Sequence, residues 1–253
     1  MSSWPELDRL CQAVGLFEPS SAILRRLNAA YAAADRDVAS GTEGRALPCG
    51  KGCSDCCHES VFVSAPEWIG AVWALCEAEQ SVQQDILRQM VELARRYEDE
   101  FELLESLQPG PERDEVAARV RFRCPILAAD GACRIYRWRE LNARTFGQAW
   151  DARRGHAFGC HRTHAQVGHQ RLALVDAWDQ RAGLARAFPE AGRVHVYPWW
   201  FDRFMGPVQA VWRSAAAGGG AAVRAQIAGA RADGEASADR ARRSIRDATN
   251  RDR

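Results

Sequence analysis

Four cysteines lie within nine residues of the sequence, in the segment Cys49-Gly-Lys-Gly-Cys53-Ser-Asp-Cys56-Cys57. The residues between them are poor helix and core formers, and glycine lets a backbone fold tightly enough for several sulfurs to face one centre. Thiolates at this spacing suit zinc or an iron–sulfur cluster and suit hard cations badly. The segment therefore predicts a metal-binding loop, because ordinary buried cysteines scatter over apolar faces instead of crowding a glycine-rich loop.

The adjacent pair Cys56 and Cys57 carries further information. Neighbouring side chains of an extended segment point in opposite directions, so both thiols rarely reach the same metal atom. Either one of the two is a spare thiol beside the metal, or the site holds more than one metal.

Three later cysteines are further candidate ligands. Cys124 and Cys133 flank the sequence Ala-Ala-Asp-Gly, which predicts a hairpin turn that would bring their sulfurs together. Cys160 is followed by His161 and, three residues later, by His164, which are alternative ligands. Zinc needs four ligands and an iron–sulfur cluster usually takes four thiolates, so the candidates exceed one simple site. The seven predicted metal and cofactor ligands are Cys49, Cys53, Cys56, Cys57, Cys124, Cys133 and Cys160.

The two remaining cysteines provide an internal contrast. Cys11 and Cys76 each occupy the apolar stripe of a predicted helix, among leucine, valine, isoleucine or tryptophan neighbours. We expect both to be buried for packing alone.

Helical periodicity dominates the rest of the sequence. Ser64 and Glu67 form a capping box that predicts the start of a helix. An apolar stripe with spacings of three and four predicts one long helix from about Val82 to Leu107. Together with the hairpin, these patterns predict a mainly α fold: a helical domain with a small β-hairpin and a cysteine-rich metal-binding loop. The predicted segments are N-terminal helices (1–45), a cysteine-cluster metal-binding domain (46–168), a helical and aromatic segment packing on it (169–212) and an Ala/Arg-rich tail (213–253), loosely helical or disordered.

Composition limits the class of protein. The formal charge of +1 over 253 residues argues against a nucleic-acid-binding surface. The first residues lack the apolar core of a signal peptide, and no stretch has the apolar length needed to cross a bilayer. We therefore expect a soluble, cytoplasmic protein with no membrane association. In that compartment thiols stay reduced, and nine cysteines favour metal binding or redox work over disulfides.

The order and spacing of these residues resemble the YkgJ-type cysteine-cluster family, over roughly residues 45 to 165. The motifs that carry the resemblance are Cys49-x3-Cys53-x2-Cys56-Cys57, then Ser64-x2-Glu67, then Cys124-Pro-x-Leu, and finally Asp130-Gly131-x-Cys133-x-Ile135-Tyr136-x2-Arg139. The family is described as zinc- or iron-chelating, and some members are called iron–sulfur oxidoreductases. A relative of the family is associated with flagellin lysine methylation. The resemblance implies a bound metal, and a [4Fe-4S] cluster is preferred over zinc.

One departure from the family pattern affects the ligand set. Family members commonly continue Tyr-x2-Arg-Pro-x2-Cys-Arg after the second cysteine block. In this chain Glu140 replaces that proline, and Ala143 stands where the cysteine would be, directly before Arg144. One ligand of the family pattern is therefore missing: either Cys160 substitutes for it from further along the chain, or the site holds less metal.

Three functions are compatible with these patterns. The first is a metal-binding protein of the YkgJ kind, with a redox or modifying activity that the residues do not establish; Arg139 and Arg144 would then hold an anionic substrate or balance thiolate charge, unless they are surface arginines. The second is a structural zinc module that binds a protein partner. The third is a radical SAM-like enzyme, because Cys49, Cys53 and Cys56 also fit that three-cysteine pattern. The sequence identifies neither a substrate nor a protein partner.

An aromatic segment bears on the second of these functions. If exposed, it would form a face for a partner; since large aromatic side chains usually fill cores, we expect it to pack against the helices. Its members are Tyr197, Trp199, Trp200, Phe201 and Phe204.

Overall fold

The computed structural model describes residues 4–42, 47–48, 53–108, 111–167, 174–191, 194–225 and 227. Its main helices are α1 (Pro5–Ala13), α2 (Ser20–Gly41), α3 (Ala65–Ala74), α4 (Gln80–Arg96), α5 (Glu98–Ser106), α6 (Pro111–Arg119), α7 (Leu141–Thr145), α8 (His161–Val167), α9 (Ala177–Ala187), α10 (Tyr197–Arg203) and α11 (Met205–Ala216). The strands are β1 (Phe62–Ser64), β2 (Trp150–Asp151), β3 (His156–Ala157) and β4 (Val194–Val196). Two antiparallel pairs form, β1 with β4 and β2 with β3. The mainly α fold class is confirmed.

The described helices bear on whether the chain could cross a membrane. In the ranges given above, no helix combines the length and the apolar character needed to span a bilayer.

A cluster of aromatic rings forms the centre of the core. The indole of Trp68 in α3 stacks on Trp200 of α10 with ring centroids 5.4 Å apart, and Phe201 meets the same indole edge-on at 5.9 Å. Trp200 also donates its indole N–H to the carbonyl oxygen of Val63 at 3.1 Å. Tyr197, Trp199, Trp200 and Phe201 are all buried. The aromatic segment therefore packs inside the protein, as expected, and presents no broad aromatic face to a partner.

The two ends of the described chain meet. Helix α1 packs against α11, and the Trp4 indole N–H donates to the Ser214 hydroxyl oxygen at 3.1 Å. Helix α11 thus runs past the predicted boundary at residue 212, and the described residues Val223 and Ile227 also pack in the core. The part of the predicted tail beyond residue 227 lies outside the described residues.

The prediction of one long helix over 82–107 is wrong, because α4 and α5 are separate helices joined at Tyr97. Tyr97 has φ −114° and ψ 30°, which departs from helical geometry. Its hydroxyl donates to the carbonyl oxygen of Arg121 at 2.7 Å, and its ring lies beside Phe101 and Phe122. This anchoring turns α5 onto α6. The apolar stripe continues across the break, so periodicity alone does not reveal it.

The turn predicted between Cys124 and Cys133 is present, but the two paired strands are reduced to an isolated bridge between Leu127 and Cys133. Gly131 has a φ of 82°, which favours glycine, and the Asp130 carboxylate accepts the N–H of Ala132 at 3.0 Å. The tight turn forms as the residue types predict. Extended pairing stops at that bridge, because a turn of backbone begins at residues 134–135.

Candidate metal site

Five of the seven predicted ligands line one pocket, which we call the cysteine pocket. They are Cys53, Cys56, Cys57, Cys124 and Cys133. The pocket has a volume of about 50 Å³, enough for a few water-sized spheres. Cys49, the sixth predicted ligand, lies outside the described residues, as does most of the predicted glycine-rich loop.

Local backbone structure explains why the two cysteine segments meet. A short 3₁₀ turn, Asp55–His58, contains Cys56 and Cys57. The N–H of Cys124 donates to the carbonyl oxygen of Cys57 at 2.7 Å, which joins the first cysteine segment to the second. The bridge at Cys133 then returns the chain to the same place. Two segments distant in sequence are thus joined by backbone contacts at the cysteines themselves.

The pocket raises the pKa of three of its thiols. Burial raises the pKa of Cys133 to about 11 and that of Cys124 to about 12. The hydrogen bond shared with Cys57, followed by burial, raises the pKa of Cys56 as well. These three thiols are therefore protonated near neutral pH, and a metal ion binding to them as thiolates would displace their protons.

The structure brings these thiols to one pocket without forming a finished ligand set. Within the described ranges, no group of three or more histidine, cysteine, aspartate or glutamate side chains is arranged to hold a metal ion. Metal ligation by the five cysteines therefore stays a prediction. The fit to a metal lies in the donor type and in the shared pocket, since several thiols around one small cavity suit a thiophilic metal.

Cys160 lies apart from the pocket lining. It is buried, and its sulfur is 4.0 Å from a carboxylate oxygen of Asp55, which stands between Cys53 and Cys56 in sequence. His161 is exposed on α8 and His164 is half-buried. The structure thus places Cys160 beside the turn that carries two of the pocket cysteines, with ligation by it, or by either histidine, still a prediction.

Of the two cysteines expected to be buried for packing alone, Cys11 is confirmed as buried and Cys76 is only partly buried. Cys11 is fully buried in the core, and burial raises its pKa. Cys76 is partly buried against the core, and its thiol donates to the carbonyl oxygen of Val72 at 3.4 Å. Neither residue lines the cysteine pocket. All eight described cysteines are free thiols.

Sequence reasoning missed two polar residues of the pocket, Glu140 and Tyr197. Both line it and both are buried, and the Tyr197 hydroxyl donates to Oε2 of Glu140 at 2.8 Å. Burial raises the pKa of the Glu140 carboxyl and that of the Tyr197 phenol. The available signal was the glutamate at position 140, where the family pattern has proline. Ala143, at the position of the missing family cysteine, lines the same pocket.

Glu67 supports this side of the pocket. The predicted capping box is confirmed, with one carboxylate oxygen accepting both the backbone N–H and the hydroxyl of Ser64, at 2.9 and 2.8 Å. The other oxygen accepts the N–H of Leu141 at 2.7 Å. A single buried carboxylate therefore caps the starts of α3 and α7, and it orients the helix that carries Ala143.

The two arginines near the pocket have different roles. Arg139 lines the pocket and stacks on the ring of Tyr136, 4.0 Å from its centroid. Arg144 is only 4% exposed. It forms an ion pair with Asp35 and stacks 4.0 Å from the ring centroid of Tyr31. Arg144 is thus neither a surface residue nor oriented as a substrate ligand, whereas Arg139 is placed to balance charge in the pocket.

Comparisons with known proteins gave no match, whether with protein-family models, with curated proteins or with solved structures. The resemblance to the YkgJ-type family therefore rests on residue types and spacing alone.

Proposed function

We propose that this chain is a metal-binding protein that holds an iron–sulfur cluster or a zinc ion in the cysteine pocket, with Cys49 completing the ligand set. The observation that carries the proposal is the convergence of five thiols from two distant segments on one small cavity. Thiolates are the preferred protein ligands of zinc and of iron–sulfur clusters, so the donor set selects this class of metal. Bound metal would supply positive charge that favours ionisation of Cys56, Cys124 and Cys133, whose pKa values the pocket raises.

The pocket cysteines bear on whether the bound metal is a zinc ion or an iron–sulfur cluster. The five pocket thiols exceed the four that either a zinc ion or a [4Fe-4S] cluster takes, so their number alone does not select between the two. The adjacent Cys56 and Cys57 both line the pocket, so the pocket contains one thiol more than a single four-ligand site uses. A [4Fe-4S] cluster remains the preferred cofactor, in line with the family resemblance.

The alternatives receive less support. The aromatic segment, offered as a partner-binding face for a structural zinc module, is buried. A radical SAM enzyme would place its cysteine loop after the first strand of a β/α barrel. The described chain is mainly helical, with strands of two or three residues.

Metal analysis combined with an absorption spectrum tests the proposal directly. Protein purified without oxygen is expected to contain near-stoichiometric metal. A brown protein with iron and acid-labile sulfide would identify a cluster, whereas a colourless protein containing zinc would identify a zinc site. Protein that holds neither metal after purification, and takes up neither from iron and sulfide or from zinc salts, would contradict the proposal.

Ala143 offers a gain-of-function test. Because this alanine lines the pocket, Ala143→Cys should add a sixth described thiol to it. Losing even an outer partner of a metal ligand typically costs about 10- to 100-fold in affinity, so a new ligand should increase resistance to a chelator by about tenfold or more. The measurement is the EDTA concentration that removes half of the metal.

The matched control is Ala149→Cys, which adds a thiol at another buried alanine, one that lies outside the pocket lining. It should leave chelator resistance unchanged. Equal resistance in wild type and both variants would contradict the placement of residue 143 beside the metal.

A further inference from the structure

A second and larger cavity lies on the other side of α7 from the cysteine pocket. We call it the arginine groove. It has a volume of about 1130 Å³, and its lining includes Arg113, Arg153, Arg154, Arg181, Phe62 and Trp178. Helix α7 and the residue before it form a shared wall, since Leu141 and Asn142 line the groove while Glu140 and Ala143 line the cysteine pocket. The groove plays no part in the proposed metal site, and its occupant must be inferred from its own chemistry.

The charge of the groove favours an anion. Its described lining contains four arginines and two glutamates, Glu67 and Glu115, and one of the arginines, Arg154, forms an ion pair with Asp151 at 3.7 Å. Both carboxylate oxygens of Glu67 accept hydrogen bonds from Ser64 or Leu141, so this side chain is already engaged within the fold. A cavity lined by an excess of one sign of charge concentrates ligands of the opposite sign.

Three of the four arginines lie on aromatic surfaces. The guanidinium carbon of Arg153 is 3.5 Å from the ring centroid of Trp178, and that of Arg181 is 4.8 Å from the same centroid. Arg113 lies 4.6 Å from the ring centroid of Phe62. Such stacking holds planar guanidinium groups along an apolar wall, where they can donate to phosphate or carboxylate oxygens.

Some of these groups are held in place before any ligand arrives. Arg181 donates two hydrogen bonds to the amide oxygen of Asn142, at 3.0 and 2.7 Å. Arg113 donates to the carbonyl oxygen of Val194 at 2.7 Å. Trp178 donates its indole N–H to Asp151 at 2.9 Å. Because preorganised donors lose less conformational entropy on binding, this wall is suited to hold a ligand.

We propose that the arginine groove binds a small organic anion, one that joins a flat aromatic body to a phosphate, sulfonate or carboxylate group. The aromatic body would lie against the apolar walls that include Trp178 and Phe62, and the anionic group would accept hydrogen bonds from the arginines. Binding of this ligand does not require metal in the cysteine pocket, so the two proposals stand or fall separately.

Isothermal titration calorimetry with phenyl phosphate tests the proposal, with inorganic phosphate and benzyl alcohol as probes of each half of the ligand. Phenyl phosphate should bind saturably and more tightly than either comparison compound. Arg153→Gln and Arg181→Gln should each weaken its binding by about tenfold, the loss expected for a hydrogen bond to a charged group. Arg153 is exposed, so its replacement tests the groove without endangering the fold.

The matched control is Arg186→Gln, an exposed arginine on α9 that lies outside the groove lining. It should bind phenyl phosphate as wild type does. The proposal would be overturned by phenyl phosphate that fails to saturate, by benzyl alcohol that binds equally well, or by Arg153→Gln and Arg186→Gln having the same effect.

Discussion

Cys53→Ser is expected to lose most of the metal bound by the wild-type protein, with affinity falling by about tenfold or more. A serine hydroxyl stays protonated at neutral pH and is a poor ligand for zinc or iron compared with a thiolate. Cys53 lines the cysteine pocket and is only partly buried, so the substitution should leave the fold intact. The measurement is the metal-to-protein ratio after anaerobic purification, together with the circular dichroism spectrum.

Two cysteine variants serve as controls. Cys11→Ser and Cys76→Ser alter thiols that pack against the core away from the pocket, so both should retain wild-type metal content. Cys76→Ser is the safer of the two, because Cys76 is less buried than Cys11. Equal metal content in Cys53→Ser and the controls would remove the cysteine pocket from consideration as a metal site.

Trp200→Ala should destabilise the protein by about 3–5 kcal/mol, the usual cost of truncating a buried large aromatic residue. The substitution removes the ring that stacks on Trp68 and leaves the Val63 carbonyl oxygen without the indole donor. Both losses fall at the centre of the core. The free energy of unfolding, measured by urea denaturation, would give the magnitude.

Phe17→Ala is the matched control, because Phe17 is 82% exposed. Surface substitutions of this kind usually change stability by less than about 0.5 kcal/mol. If Trp200→Ala also fell within that range, Trp200 could not belong to the core, and the aromatic segment would again be available as a partner-binding face.

Much of the helical fold was predictable because it depends on local signals. The capping box at Ser64 and Glu67 forms as its residue types require. Apolar periodicity correctly predicted burial of Cys11. The separation of α4 from α5 was not predictable in this way. It depends on the contact of Tyr97 with Arg121, and the apolar stripe passes through the break without interruption.

The candidate site was likewise predictable only where it depends on local sequence signals. Cysteine spacing and the turn at Asp130-Gly131 indicated which thiols would meet, and five of them line one pocket. Glu140 could not be placed there from sequence, because its burial depends on the hydroxyl of Tyr197, a residue of α10. The second role of Glu67 was equally hidden. Its hydrogen bond to Leu141 joins residues 74 positions apart.

The hydrogen bond between Tyr197 and Glu140 bears on whether the cysteine segment could be transferred to another protein on its own. A fragment spanning residues 53–143 would contain all five pocket cysteines but not the phenol that satisfies the buried carboxylate. It would also lack Trp200, on which Trp68 stacks. Grafted into another protein, the fragment would carry thiols without the scaffold that orients them. Engineering the cysteine pocket into another protein therefore requires the C-terminal helices as well as the cysteine motif.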